Sequence, residues 1–215
     1  MINTLKVKIL ATIIHLFVLD ISKTTERDPR ELCDAAPRLE IVSESVVSGA
    51  ESTLCSTKKD NMCWRESIDK LAFSMTVMAW KESKFLKRIH ASKCWTNECD
   101  PVFKRDRHGR KYLAYHRART LWQLHKTIYI SSRDWKEMVG TNLPATTVAA
   151  TNASRAFSWA KNRCKTDRGA FSLYATGRTC NWSGADDRVF VTNRYLEFSK
   201  NDKWVKAAMG NLRKC

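Results

Sequence analysis

Apolar residues recur at three- and four-residue intervals along much of the chain, the spacing that lines one face of a helix. The cleanest stripe is Ile68, Leu71, Met75 and Met78, in a helix expected over residues 65–83 and central to the fold. Further stripes predict helices over 36–48 (Leu39, Val42, Val46, with Gly49 as the stop) and 117–128 (Leu121, Leu124, Ile128). Two more are expected over 142–164 and 167–176, the second stopped by Gly177, and a last helix capped by Asp186 or Asp187 carries Val189, Thr192 and Leu196. Pro144 suits a first helical turn. Behind it, Ala149, Ala153, Ala156 and Ala160 form a small-residue stripe that allows close helix packing. Between Phe85 and His116 the helical period is lost, and Asp106-Arg107-His108-Gly109-Arg110 reads as a turn at the tip of a hairpin. The expected fold is mainly α, with a small irregular or β-hairpin lobe.

The pattern changes at the amino terminus. Lys6 and Lys8 precede an almost unbroken apolar run over residues 9–19, the layout of an export signal, and the run is short for a membrane span. No Ala-x-Ala cleavage site follows before Asp20, so failed processing would leave a tethered protein, and His15 is atypical inside such a run. A buried helix of the mature fold is the alternative. The expected organisation is a signal or N-terminal anchor at 1–23 and one domain over 24–215, opening with a charged lead-in over 24–32.

Composition narrows the partners. Over 215 residues, 43% hydrophobic content excludes global disorder and allows a real core. Lys and Arg outnumber Asp and Glu by 38 to 22, a formal +16, which calls for an anionic partner. Only Lys6, Lys8, Lys23 and Asp20 of these charges lie in residues 1–23, so the excess belongs to the domain. The densest basic stretch, from Lys104 to Arg119, either grips phosphate or forms a solvated face. An exported chain rarely meets nucleic acid, so an anionic wall polymer is the better partner and no nucleic acid is expected.

All eight cysteines follow residue 23, an even count that reads as up to four disulfides in an exported chain. Cys94 with Cys99 and Cys164 with Cys180 would make local loops. Zinc is disfavoured because Cys94 and Cys99 lack a second pair at finger spacing. His90, His108, His116 and His125 show no metal spacing, and no P-loop, nucleophile elbow or nucleotide fingerprint occurs. No cofactor or metal is expected. Asn152-Ala153-Ser154 and Asn181-Trp182-Ser183 match the glycosylation sequon, which matters only in a eukaryotic source. Eight tryptophans exceed what one core usually needs, and any exposed in a cleft would suit sugar rings.

The position after Met78 on the central stripe is Glu82. A carboxyl on the buried side of a helix is costly when charged and tends to keep its proton, which suits it to protonating a glycosidic leaving oxygen. The bland alternative is that the helix ends there and Glu82 turns to solvent beside Lys81 and Lys84.

Three short motifs then fall in order: Glu82-Ser83-x-Phe85, Leu121-Trp122-Gln123, and Ala170-Phe171-x-Leu173-Tyr174-Ala175-Thr176-Gly177. This order resembles the lytic transglycosylase and goose-type lysozyme superfamily, over about residues 33–198. The resemblance implies a lysozyme-like fold, Glu82 as catalytic acid, Ser83 and Gln123 as substrate contacts, and Tyr174 hydrogen-bonded to Glu82 or to the sugar beside it. It also implies cleavage of the β-1,4 bonds between N-acetylmuramic acid and N-acetylglucosamine in peptidoglycan, by a monomer in the periplasm or outside the cell. The gap from Glu82 to Gln123 is longer than the family pattern. Thr120 stands where the family has glycine, and Ala175 where it usually has asparagine. An inverting mechanism would need a second carboxylate, for which Asp100, between Cys99 and Pro101, is the candidate, with Glu98 and Asp106 also in the gap. Family chemistry needs none, since one glutamate serves as acid and then as base on the sugar's C6 hydroxyl. The competing class is a non-catalytic protein of the same fold that holds wall glycan, or another anionic polymer, without cutting it.

Overall fold

The computed structural model describes residues 4–23, 30–55, 63–92, 102–114, 118–125 and 129–212. Among them run α1 (Thr4–Lys23), α2 (Arg30–Glu51), α3 (Ile68–Ser83), α4 (Lys87–His90), β1 (Val102–Arg105) and β2 (Lys111–Ala114). There follow α5 (Ser132–Glu137), α6 (Leu143–Cys164), α7 (Asp167–Thr176), α8 (Ala185–Phe198) and α9 (Asp202–Gly210). The fold is mainly α, with one antiparallel hairpin pairing Val102 with Ala114 through Arg105 with Lys111.

α3 buries the stripe that its sequence announces. Leu71, Met75 and Met78 are wholly enclosed, and α1, α2, α6 and α8 pack around the helix. α6 begins as expected, with the Asn142 side chain accepting from the Ala145 N–H, and Pro144 sits in its first turn. α6 packs along α2, where Ala150 and Thr151, outside the expected alanine stripe, lie against Gly49. There Gly49 is no stop: α2 continues to Glu51, and a Cβ on Gly49 would lie 2.8 Å from the Ala150 carbonyl carbon. The glycine lets two backbones approach, a packing role that local sequence does not distinguish from a helix stop. α7 ends on Gly177 in the left-handed conformation (φ 66°), as its sequence predicts.

Several boundaries differ from expectation. α2 already begins at Arg30, inside the supposed lead-in, and α3 starts at Ile68, with Ser67 at its N-cap. α8 starts after Gly184, with Asp186 and Asp187 in its first turn instead of at the cap, and α9 follows it, closed at its start by the Asn201 side chain. The helix expected over 117–128 is absent over its described part. Residues 119–124 form a tight turn closed by paired backbone hydrogen bonds between Arg119 and Leu124, each 2.8 Å. Thr120 (φ 68°) and Gln123 (φ 49°) both adopt left-handed backbone, which no α-helix accommodates. The turn drives Leu121 and Trp122 into the core, and the Trp122 indole N–H donates to the Met75 carbonyl of α3 at 3.0 Å. Tertiary burial of a large aromatic outweighs the three-residue spacing of Leu121 and Leu124.

The segment read as an export signal is α1, and it is packed. Ile9, Ile13, Ile14 and Leu16 are buried in the main core against α2, α3 and α9. His15, odd for a signal, lies with Nδ1 2.8 Å from the Tyr195 hydroxyl, and the Trp80 indole donates to Asp20 at 2.7 Å. Among the described residues no helix is long and apolar enough to cross a membrane.

Disulfides join Cys55 to Cys63 and Cys164 to Cys180, with Cα separations of 4.8 and 5.7 Å. Cys33 is disulfide-bonded too. The second pairing was expected and the first was not. Cys94, Cys99, Glu98 and Asp100 lie outside the described residues.

Candidate active site

The C-terminal end of α3 presents Glu82. Its side chain is 22% exposed, so it lies at the edge of the core where the buried stripe ends. α8 crosses α3 here and brings Arg188, itself 10% exposed, to 2.6 Å from Glu82 Oε1 through Nη1. The two atoms are in ion-pair contact without hydrogen-bond alignment. One residue back on each helix, Lys81 pairs with Asp187, so two ion pairs fasten the helices together. The Trp182 ring covers Arg188 from the other side, its centroid 5.1 Å from the guanidinium carbon. Gly184 permits this, because a Cβ there would meet the Trp182 ring at 2.3 Å. Lys84, the other lysine beside Glu82, lies over Trp80 and 3.8 Å from Asp20.

Ser83 turns inward. Its buried hydroxyl donates to the Ala79 carbonyl and accepts from the Phe85 N–H at 3.2 Å, which ties off the helix end. Lys84 (φ 50°) and Phe85 (φ 53°) then reverse the chain in left-handed conformation. Among the described residues six non-glycine positions have positive φ. Four of them, Lys84, Phe85, Thr120 and Gln123, fall in or beside two of the three sequence motifs. Backbone held this way costs about 1–3 kcal/mol per residue and tends to gather at functional sites. Thr120 takes the conformation that favours glycine at the position where the family pattern has glycine.

Tyr174, on α7, links the motifs. Its hydroxyl donates to the Trp122 carbonyl at 3.0 Å, so its single proton is committed to the turn and not to Glu82. Burial raises the phenol well above its usual range, the Glu82 charge raises it further, and Arg188 partly opposes this. Tyr174 also lines, with Gln123, a pocket of about 380 Å³. Leu124, Ile130, Ala156 and Leu173 make its wall largely apolar, and Tyr129 and Trp159 offer paired aromatic faces 6.0 Å apart. Glu82 is outside this lining. Gln123 and Tyr174 thus share one pocket, Tyr174 also feels Glu82, and Ser83 serves the backbone. Asp106 caps the hairpin tip, accepting from the backbone N–H groups of His108 and Arg110 at 2.8 and 2.9 Å.

No family model, curated protein or solved structure matches the chain. The site's chemistry therefore rests on its own geometry. Arg188 and Trp182 are the residues that sequence reasoning missed. Arg188 follows two aspartates at a helix start and reads as one more surface charge, and only the α3–α8 crossing reveals its partner. Trp159 was legible as one of a surplus of tryptophans. Among the described residues no cluster of His, Cys, Asp and Glu could hold a metal.

Proposed function

We propose that the chain is an exported, lysozyme-like enzyme that cleaves the β-1,4 glycan of peptidoglycan, with Glu82 as the acid. The observation that carries the reading is the double membership of Tyr174. It lines one pocket with Gln123 and donates its hydroxyl to the Trp122 carbonyl at 3.0 Å, so two of the three sequence motifs meet through one side chain, and the charge of Glu82 from the first motif helps to raise its phenol. In this reading Glu82 protonates the leaving oxygen. The cation so formed is then trapped by water or, with Glu82 now a base, by the sugar's own C6 hydroxyl. Arg188 positions the Glu82 carboxyl, and the Tyr129 and Trp159 faces receive a sugar ring. No cofactor takes part.

The disulfides and the basic surface fit an oxidising compartment and an anionic wall. Because α1 fills the core, the form proposed here keeps residues 1–23 with the domain instead of shedding them. A second reading, wall binding without cleavage, is favoured by one feature. The Ser83 hydroxyl and the Tyr174 proton are committed to backbone carbonyls, and Glu82 already faces Arg188.

Mass spectrometry of soluble fragments released from purified cell walls tests the proposal. Disaccharide-based fragments with free or anhydro reducing ends support cleavage and name its type. Walls that retain the protein yet release nothing favour the second reading.

A further inference from the structure

Besides its alanines, α6 carries a second stripe of different character. Arg155, Trp159 and Arg163 recur at intervals of four and share one face of the helix. Both arginines are exposed, and among the described residues neither pairs with a carboxylate. Arg163 lies over the Trp159 ring, its guanidinium carbon 5.6 Å from the centroid. Arg155 instead lines the pocket of about 380 Å³ that Tyr129, Trp159, Gln123 and Tyr174 share. Among the described residues of that lining none is Asp or Glu, and Arg155 is the one permanent charge. Asp134, on α5, reaches the lining only through Asn152, whose side-chain amide donates to it at 3.2 Å, and is itself outside the lining.

The wall of this pocket and its charge make demands that a plain sugar does not meet. The side chains of Leu124, Ile130, Ala160 and Leu173 neither donate nor accept, so hydroxyls pressed against them lose water without replacement. Methyl and methylene groups fit there, as does the C–H face of a ring against Tyr129 or Trp159, whose ring centroids are 6.0 Å apart. Arg155 offers a planar fork of N–H donors with no acid to fill it, a match for the two oxygens of a carboxylate. The occupant that meets all these demands is a sugar bearing a carboxylate on a short apolar arm. N-acetylmuramic acid has that form: its lactyl ether adds a methyl group and a carboxylate to N-acetylglucosamine and leaves the rest of the molecule the same.

We infer that Arg155 is a specificity-determining residue, through which the pocket beside Tyr129 and Trp159 takes an acidic sugar, N-acetylmuramic acid, in preference to neutral N-acetylglucosamine. The inference rests on the reading that this pocket receives a sugar ring of the wall glycan, and it requires no cleavage by Glu82.

NMR titration of the isotopically labelled full chain with N-acetylmuramic acid, its methyl ester and N-acetylglucosamine, at pH 7 and matched ionic strength, tests this. The ester keeps the arm and removes the charge. The free acid is expected to bind at least about fivefold tighter than either neutral probe and to shift the Trp159 indole and Asn152 amide signals. Arg155→Met should bring the acid down to the affinity of the ester and leave the neutral probes unchanged. Its melting midpoint should hold, because Arg155 is exposed and makes no ion pair among the described residues. Lys206→Met, on α9 and outside the pocket, removes the same charge and should keep the preference. Equal binding of acid and ester, no binding of any probe, undiminished preference in a folded Arg155→Met protein, or an equal loss in Lys206→Met would each overturn the inference. Wall clearing is a separate readout. Intact walls with the preference present count against the proposed cleavage alone, and cleared walls without the preference count against Arg155 alone.

Discussion

Arg188 Nη1 and Glu82 Oε1 stand 2.6 Å apart and join the end of α3 to the first turn of α8. Removing one partner of a buried pair leaves the other charge stranded, at a cost on the order of 3–5 kcal/mol, and the partial exposure of Glu82 should keep the loss near the lower end. Arg188→Met is expected to destabilise the protein more than Glu82→Gln does. The double variant should recover part of the loss. Urea unfolding of the four proteins measures the coupling directly. Additive losses would mean that the pair is a chance contact.

The α2–α6 crossing depends on a missing methyl. Gly49→Ala places a carbon within 3 Å of the Ala150 carbonyl and Thr151 nitrogen, and both neighbours are backbone that cannot swing away. The expected loss is about 1–3 kcal/mol, as for overpacking elsewhere, despite the better helix propensity of alanine. Thermal unfolding checks it, with Gly210→Ala as the control, since a Cβ there meets nothing.

Much of this architecture was legible in the sequence, and the failures share a cause. The α3 stripe, the Asn142 start of α6, the Gly177 stop and the Asp106–Gly109 hairpin tip are local signals, and each appears where its residues predict. Gly49 and the 119–124 turn failed because their conformations are set by partners far along the chain: Ala150 for one, Met75 for the other. At the site, Glu82 was visible from its place on a stripe and Tyr174 from a motif. Arg188 was not, because an ion pair spanning α3 and α8 has no signature in either segment alone.

Acid should weaken the fold, through His90 first. Burial and, after it, the Arg38 charge lower its folded value to about 3, below its unfolded value near 6.5, so between these limits the unfolded chain binds the extra proton. Stability is full above pH 6.5 and falls as pH drops toward 3, by an amount on the order of 5 kcal/mol at most. Glu66 and Asp167 add to this. Burial pushes each carboxyl up, but hydrogen bonds and charge from Lys161 and Lys70 outweigh it and hold both below the usual range, so their contribution is lost at lower pH. Denaturation curves from pH 7 to 4 should slope for the parent and flatten for His90→Leu. Parallel curves would contradict the assignment.

First contact with an anionic wall should be electrostatic and carried by the hairpin. Arg105, Arg107 and Arg110 are exposed at its tip, with Lys104 and Lys111 beside them in sequence. Cosedimentation with purified walls is expected to weaken steeply as salt rises, and neutralising these five residues together should reduce it at low salt. Cleavage of a short soluble glycan should change little. Binding that is flat across the salt range would place the attraction in the pocket alone.

The central claim is that Glu82 transfers the proton. Glu82→Gln keeps the side chain's shape and removes that proton, so the decisive measurement is the initial rate of turbidity loss from purified cell walls, parent against variant. Circular dichroism confirms that both are folded. The account predicts a fall of at least a hundredfold for the variant with wall binding retained. A folded Glu82→Gln protein that clears walls at near the parent rate would contradict it.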